Sequence, residues 1–275
     1  ILFILIISIW ELTFSQSHEN VMQFAHDSYQ RGHYAVALKE YQRALFFAED
    51  KTNPDLFSSV ADCYFNVGDL DRAREFYDRA YFLFDSDSMR LTALFNKVAC
   101  NVFQKNYDIA LIDMFGLPDT LSPFFEKRKQ FYLGIIYFGK EDYEKSKNHF
   151  LNIHRNNEAY IDKVQGLFDP RGKINRPNPK TAFILSLIIP GTGQFYAGDF
   201  KSGLNSFVLN EGLLLLGIYT AYRYTILDAL VSVGPWFQRY YQGGLESAEK
   251  IAEHKRAKHR QQVFEQLMET VEERR

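Results

Sequence analysis

Seven histidines, at 18, 26, 33, 149, 154, 254 and 259, are the obvious residues to test for chemistry, and their spacing argues against it. His254 and His259 are five apart, so they do not share a helical face well. The chain contains no HExxH, GxSxG or G-x-x-x-x-G-K-[ST] pattern. Gly191-Thr192-Gly193 lacks both the third glycine of a dinucleotide loop and a strand before it, which leaves little basis for a phosphate cradle. Cys63 and Cys100, 37 residues apart, are the only cysteines. They form no CxxC and no Cys/His cluster, so neither a disulfide framework nor a zinc site is indicated. Two buried, unpaired thiols are expected, with a single disulfide the alternative in an oxidising compartment. No catalytic residue, metal site or cofactor emerges, and a non-enzymatic protein is expected.

The binding potential lies in the elements that carry these residues. Ala25, Gly32, Tyr34, Ala37, Tyr41 and Ala44 form one set, and Ala61, Gly68, Leu70, Ala73, Tyr77 and Ala80 repeat it 36 residues later. Small residues recur where two helices must approach, large ones where they fill the space between, and Gly where a helix ends in a left-handed residue. This pattern resembles the tetratricopeptide (TPR) repeat, a helix-turn-helix unit of 34 residues. Tyr107, Ala110 and Met114 continue it into a third unit, where Asn101 and Lys105 depart from it. Gly134, Tyr137, Tyr143 and Phe150 carry a fourth, with Ser146 in place of Ala. About four units are expected over residues 18–153, interrupted by a loop at Gly116-Leu117-Pro118-Asp119 and Ser122-Pro123.

The resemblance implies a concave groove lined by the first helix of each unit. Its equivalent positions place Tyr29, Phe65, Val102 and Phe138 in one row and Met22, Ser58, Phe95 and Phe131 in another, with His26 and Asp62 between them. Aligned aromatics could hold an apolar segment of a protein partner at low entropic cost. Packing between repeats is the alternative. A Lys/Asn set for clamping a C-terminal carboxylate is not evident.

Residues 154–180 are polar, and Arg171, Lys173, Arg176 and Lys180 make them basic, so a linker with a short helix near 160–168 is expected. The apolar runs that follow, within 181–244, are broken by Ile189-Pro190-Gly191-Thr192-Gly193-Gln194-Phe195-Tyr196-Ala197-Gly198. Pro190 should end the first helix and the glycines permit a tight reversal. With Leu185-Ser186-Leu187 before it and Lys201-Ser202-Gly203 after it, this run resembles a pattern in bacterial envelope proteins with paired hydrophobic helices. Some of those carry TPR units, and some are associated with membrane-protein insertion. Tyr240-Tyr241-Gln242-Gly243-Gly244 resembles that group's closing motif, with Gly244 in place of Asn. The turn residues carried over are Pro190, Gly191, Gly193, Gln194, Tyr196 and Gly198. A helical hairpin in or on a membrane is expected, with a hairpin buried under the repeats as the soluble alternative. The second run can span a bilayer only if Asn205, Asn210 and Glu211 are tolerated; the last two could satisfy one another or a partner helix. Residues 245–275 suggest one charged helix. Its basic block is Lys255, Arg256, Lys258 and Arg260, and its apolar stripe is Val263, Phe264, Leu267, Met268 and Val271.

Composition agrees with this outline. A formal charge of −2 gives no reason to expect nucleic acid. Twenty-five Phe and 17 Tyr with only 8 Pro favour packed helices over disorder. The first ten residues are almost all apolar, with small residues before Gln16, a signal-peptide pattern over 1–15 that lacks an initiator Met and a basic n-region. The expected protein is all-α: a TPR-like array, a hydrophobic helical module and a charged C-terminal helix. It is expected to act as a scaffold or adaptor for a protein partner at the bacterial cell envelope, its repeats periplasmic and its module membrane-associated. Two alternatives remain: a membrane enzyme or transporter subunit using Asn205, Asn210 and Glu211, and a wholly soluble periplasmic scaffold. Basic residues flank the apolar module on both sides, so the sequence does not orient it.

Overall fold

The computed structural model of the chain describes residues 18–48, 52–169 and 171–272. The leader expected over 1–15 lies outside them. The described residues form fourteen α-helices and one short 3-10 turn, with no strand among them. They fall into two compact units that meet in sequence at Ile153 and His154.

The first unit holds four successive helix pairs. They are α1 (His18–Gln30) with α2 (Tyr34–Phe47), α3 (Pro54–Val67) with α4 (Leu70–Leu83), α5 (Asp87–Phe103) with α6 (Tyr107–Phe115), and α7 (Pro123–Gly139) with α8 (Tyr143–Ile153). Each pair is joined through one residue in the left-handed region: Gly32 (φ 78°), Gly68 (86°), Lys105 (61°) and Glu141 (61°). In each turn the N–H of that residue reaches back to the carbonyl three before it, and the next N–H to the carbonyl five before it. That is the Schellman arrangement, which satisfies the carbonyls a helix end leaves open. Lys105 departs from the pattern in residue type while keeping the backbone conformation, at the steric cost a side chain carries there.

Burial recurs with the same spacing. Ala37, Ala73, Ala110 and Ser146 are all buried, as are Tyr41, Tyr77, Met114 and Phe150. Ser146 is tolerated at an alanine position because its hydroxyl donates to Gly134 O at 2.8 Å. Gly134 is small because Phe150 fills its space: a Cβ there would stand 2.9 Å from that ring. Asn101, the other departure, is buried, and Arg74 donates to its side-chain carbonyl at 3.4 Å. Its amide donates to Asp113 at 3.2 Å. Lys97 bridges Asp113 at 3.0 Å and Asp78 at 2.8 Å. These polar contacts replace apolar filling between the second and third pairs.

The second unit is strung along one helix. Its elements are α9 (Glu158–Leu167), a 3-10 turn (Lys173–Asn175), α10 (Pro179–Ile188), α11 (Thr192–Tyr196), α12 (Phe200–Arg223), α13 (Ile226–Ser232) and α14 (Gly234–Glu272). At 39 residues, α14 is about 58 Å long. Three expectations are corrected here. The stretch 154–180, expected as a linker with a short helix near 160–168, carries that helix as α9 but is packed rather than loose: Tyr160, Val164, Phe168 and Ile174 are buried, and α9 packs on α14. No boundary falls at Gly244, because α14 runs through Gly243-Gly244 without a break. Nor do α10 and α12 form a simple antiparallel hairpin. Ala182 clusters with Ala248 and Ala252 while Leu187 O accepts from Tyr241, so α10 runs antiparallel to α14. Ser206 lies at Gly244 and Gly217 at Val233, so α12 runs antiparallel to α14 as well. The two apolar helices therefore point the same way, and the short α11 returns the chain between them.

Candidate functional site

In the first unit the row Tyr29, Phe65, Val102 and Phe138 is half-buried, one residue on the first helix of each pair. Its rings are engaged at their edges. Tyr29 meets Tyr34 at 5.2 Å, Phe65 meets Phe103 at 5.5 Å and Phe138 meets Tyr143 at 5.3 Å between centroids. The Tyr29 hydroxyl accepts from Asn66 at 3.1 Å, which ties the first pair to the second. Met22 packs half-buried against the first core, Phe131 is half-buried, and His26 is exposed.

Two residues of the expected groove have other work. Phe95 has no exposed surface. Its ring stacks on Phe125 at 5.9 Å and on Tyr132 at 5.7 Å, with the Arg128 guanidinium 5.0 Å above it. It is a core residue of the third pair and offers nothing to a partner. Asp62 accepts the Tyr77 hydroxyl at 2.5 Å, inside its own helix pair. Burial raises the Asp62 carboxyl above its ordinary range, and the Tyr77 bond opposes that only in part. Burial and the Asp62 charge push the Tyr77 hydroxyl far up. Two large side chains were not anticipated. Phe46 and Phe82 are 36 residues apart, near the ends of α2 and α4, and each is 73% exposed. The same spacing that revealed the first two units could have found them.

Cys63 and Cys100 are both free and buried, and burial pushes each thiol up to about 12. His149 stacks on Tyr137 at 5.3 Å and bonds Gln130, and burial lowers its basicity. Among the described residues no three His, Cys, Asp or Glu side chains are grouped to hold a metal.

In the second unit, the Pro-Gly run builds a polar junction inside apolar helices. Gly191 takes φ 91°, and a Cβ there would stand 2.3 Å from Gly203 O. At Gly193 a Cβ would stand 1.9 Å from Ala182 O, so α11 lies directly on the backbone of α10. The Gly193 N–H donates to Ser186 Oγ at 2.9 Å, and that hydroxyl donates to Gln194 Oε1 at 2.9 Å. Gln194, only 1% exposed, then donates through Nε2 to Gly244 O at 2.8 Å. One side chain on α11 thus links α10 to α14. Tyr196 is partly exposed, and its hydroxyl accepts the Asn178 N–H at 3.1 Å. Gly198, with φ 80°, closes the short helix. Half-buried Pro190 precedes it all.

The polar residues of α12 are not gathered into one site. Asn205 is exposed, Asn210 is buried and Glu211 is half-buried. Asn210 Nδ2 donates to Ser206 O at 2.7 Å on its own helix rather than to Glu211. Its Oδ1, and the Ser206 hydroxyl, are buried without a hydrogen-bond partner beside Gly244. The junction contains hydroxyl, amide and backbone groups and no carboxylate or imidazole. Its hydrogen bonds hold α10, α11 and α14 to one another.

Around the junction the surface is apolar. α12 is long and apolar enough to cross a membrane, and only 11% of its most apolar 18-residue stretch is buried. α10 is apolar too, at 10 residues. Comparison with known proteins adds no family: no family model matches the sequence, and no curated protein shows significant similarity to it.

Proposed function

We propose that the protein is a non-enzymatic scaffold of the TPR type, held at the membrane of a bacterial cell envelope by its second unit. The observation that carries this is a division of surfaces on one chain. Four helix pairs repeat the same turn geometry, and α12 follows them with its long apolar surface bare. Repeated pairs leave the side chains of their first helices in rows that suit a protein segment. A bare helix of that length suits lipid, since water would penalise so much apolar surface. The partner-binding positions are Tyr29, Phe65 and Phe138 with Met22, Phe131 and His26, the groove residues that keep exposed surface. The partner is a protein of the envelope, and assembly of envelope or membrane proteins is the process this architecture suits. The leader-like pattern at the start of the chain supports repeats that face the periplasm.

The test has two parts. Carbonate washing of membranes should leave the chain in the pellet, and full release would end the membrane reading. Affinity purification from crosslinked membranes should recover a protein that a Phe65→Ala/Phe138→Ala variant loses. Equal recovery by both forms would end the groove reading.

A further inference from the structure

The two basic stretches that flank the apolar runs in sequence meet in the fold. His259 Nδ1 bonds Arg176 O at 2.8 Å, and Arg260 Nε donates to Ile174 O at 3.2 Å. The basic block of α14 thereby clasps the loop that carries Lys173 and Arg176. The Lys255 ammonium lies over the turn at Gly198, 3.2 Å from where a Cβ would stand. Lys180 and Lys201 occupy the first turns of α10 and α12, which begin at this same end. Lys173, Arg176, Lys180 and Lys201 are all exposed. Acidic groups here are fewer. Asp199 spends its carboxylate on the Ser202 N–H and hydroxyl, at 3.0 and 2.8 Å, while Asp169 bonds the Arg171 N–H at 2.9 Å; Glu253 is exposed on α14.

Beyond this collar the surface turns apolar at once. Leu204, Val208, Leu215, Ile218 and Tyr222 on α12 are exposed by 57% to 90%. Leu204 to Arg223 rises about 28 Å, close to the thickness of a bilayer's hydrocarbon. At the far end stands Arg223, with Asp228 held by Thr225, while Arg239 lies partway along, between Val233 at Gly217 and Gly244 at Ser206.

A phospholipid leaflet offers phosphate charge and hydrocarbon in that order. A second copy packed in parallel, face to face, would bring the same cations against the same rim, a repulsive arrangement. Nucleic acid would satisfy the collar and leave the apolar surface in water. We propose that this collar binds the headgroups of anionic phospholipid and seats α12 in the leaflet beneath it, an inference that rests on the membrane reading above.

Flotation of the full chain with vesicles of phosphatidylcholine alone, and of phosphatidylcholine with about one quarter phosphatidylglycerol, tests it. Each exposed cation near an anionic surface is worth about fivefold in affinity. With four such factors multiplied, the wild type should prefer the phosphatidylglycerol vesicles by about 600-fold, and added salt should erode the preference. The variant Lys173→Gln/Arg176→Gln/Lys180→Gln/Lys201→Gln should lose it while keeping its helical circular dichroism. Single substitutions at the same four positions, each losing about fivefold, serve if the quadruple variant does not fold. Carbonate-resistant association with both vesicles and no preference would overturn the collar and leave the membrane reading standing. Association with neither would overturn both. A preference that survives in the variants would overturn the collar.

Discussion

Substituting Gly193 by Ala should damage the second unit more than any other glycine change on α11 or α14. The added methyl would stand 1.9 Å from Ala182 O and 2.6 Å from Ser186 Oγ. Carbon and carbonyl oxygen ordinarily come no closer than about 3.3 Å, so α11 must retreat from α10 by about 1.5 Å. A retreat of that size breaks three bonds now at 2.8 to 2.9 Å: Gly193 N–H to Ser186, Ser186 to Gln194, and Gln194 to Gly244 O. Each buried polar group left unpaired costs about 1–3 kcal/mol, which puts the expected loss at about 3–6 kcal/mol. Two controls isolate the cause. At Gly243 nothing lies within 4 Å of an added Cβ. Ala there should stabilise the helix by up to about 1 kcal/mol. At Gly244 the methyl would meet Ser206 Oγ at 2.7 Å, a hydroxyl that can rotate aside. The clash and the propensity gain should then cancel to within about 1 kcal/mol. The assay is denaturant unfolding in detergent micelles, followed by Trp236 fluorescence in a Trp10→Phe background, since the chain has two tryptophans. A Gly193→Ala midpoint equal to that of Gly243→Ala would refute the reasoning.

Three further outcomes are expected. With both thiols raised to about 12 and fully buried, Cys63 and Cys100 should stay unlabelled by a thiol-reactive dye at pH 8 in the native protein. Both should react once denaturant is added, and native labelling would contradict the packing. The raised Asp62 carboxyl means that its contribution to stability is complete below the ordinary value of 3.8 and is lost as pH rises through the folded value. Asp62→Asn cannot ionise and can still accept from Tyr77, so its stability relative to wild type should grow from acid to neutral pH in urea titrations. A difference independent of pH would refute this. Lys105→Gly and Glu141→Gly each relieve a left-handed side-chain residue and should stabilise the first unit by about 0.5–1 kcal/mol in the same titrations. Destabilisation by either would show that the side chain earns its place.

The first two helix pairs were legible in the sequence because their turns use glycine and their contacts use alanine. The third and fourth were harder to read for a physical reason. Lys105 and Glu141 adopt the glycine conformation without being glycine. Asn101 and Ser146 are buried at positions where an apolar residue was expected, each paid for by hydrogen bonds that cross between helices. Such bonds join residues far apart in sequence, and no local pattern announces them. Both rows fall on the first helix of each pair, yet position alone could not separate Phe95, sealed under Arg128, from Phe65 and Phe138. In the second unit the run from Pro190 to Gly198 was recognisable as a turn. Its partners Ser186, Ser206 and Gly244 were visible only as pieces of a motif. Gly243-Gly244 resembled a helix stop, whereas Gly244 lets α12 approach an unbroken helix.

The most consequential difference concerns charge. Along the sequence, cations stand before and after the apolar region, and a segment flanked equally on both sides has no preferred orientation in a membrane. Folding removes that balance. α12 runs away from Lys201 and α14 runs back toward Lys255, so two helices of opposite direction carry both basic stretches to one end. Arg223 remains at the other, next to α13 with its Asp228, and Arg239 falls partway between the ends. The glycine-rich turn makes this possible. By folding α11 flat against α10, it returns the chain to the basic end before α12 sets out, which a plain hairpin would not do. An orienting asymmetry can therefore be present in the folded unit while absent from the linear order of its charges.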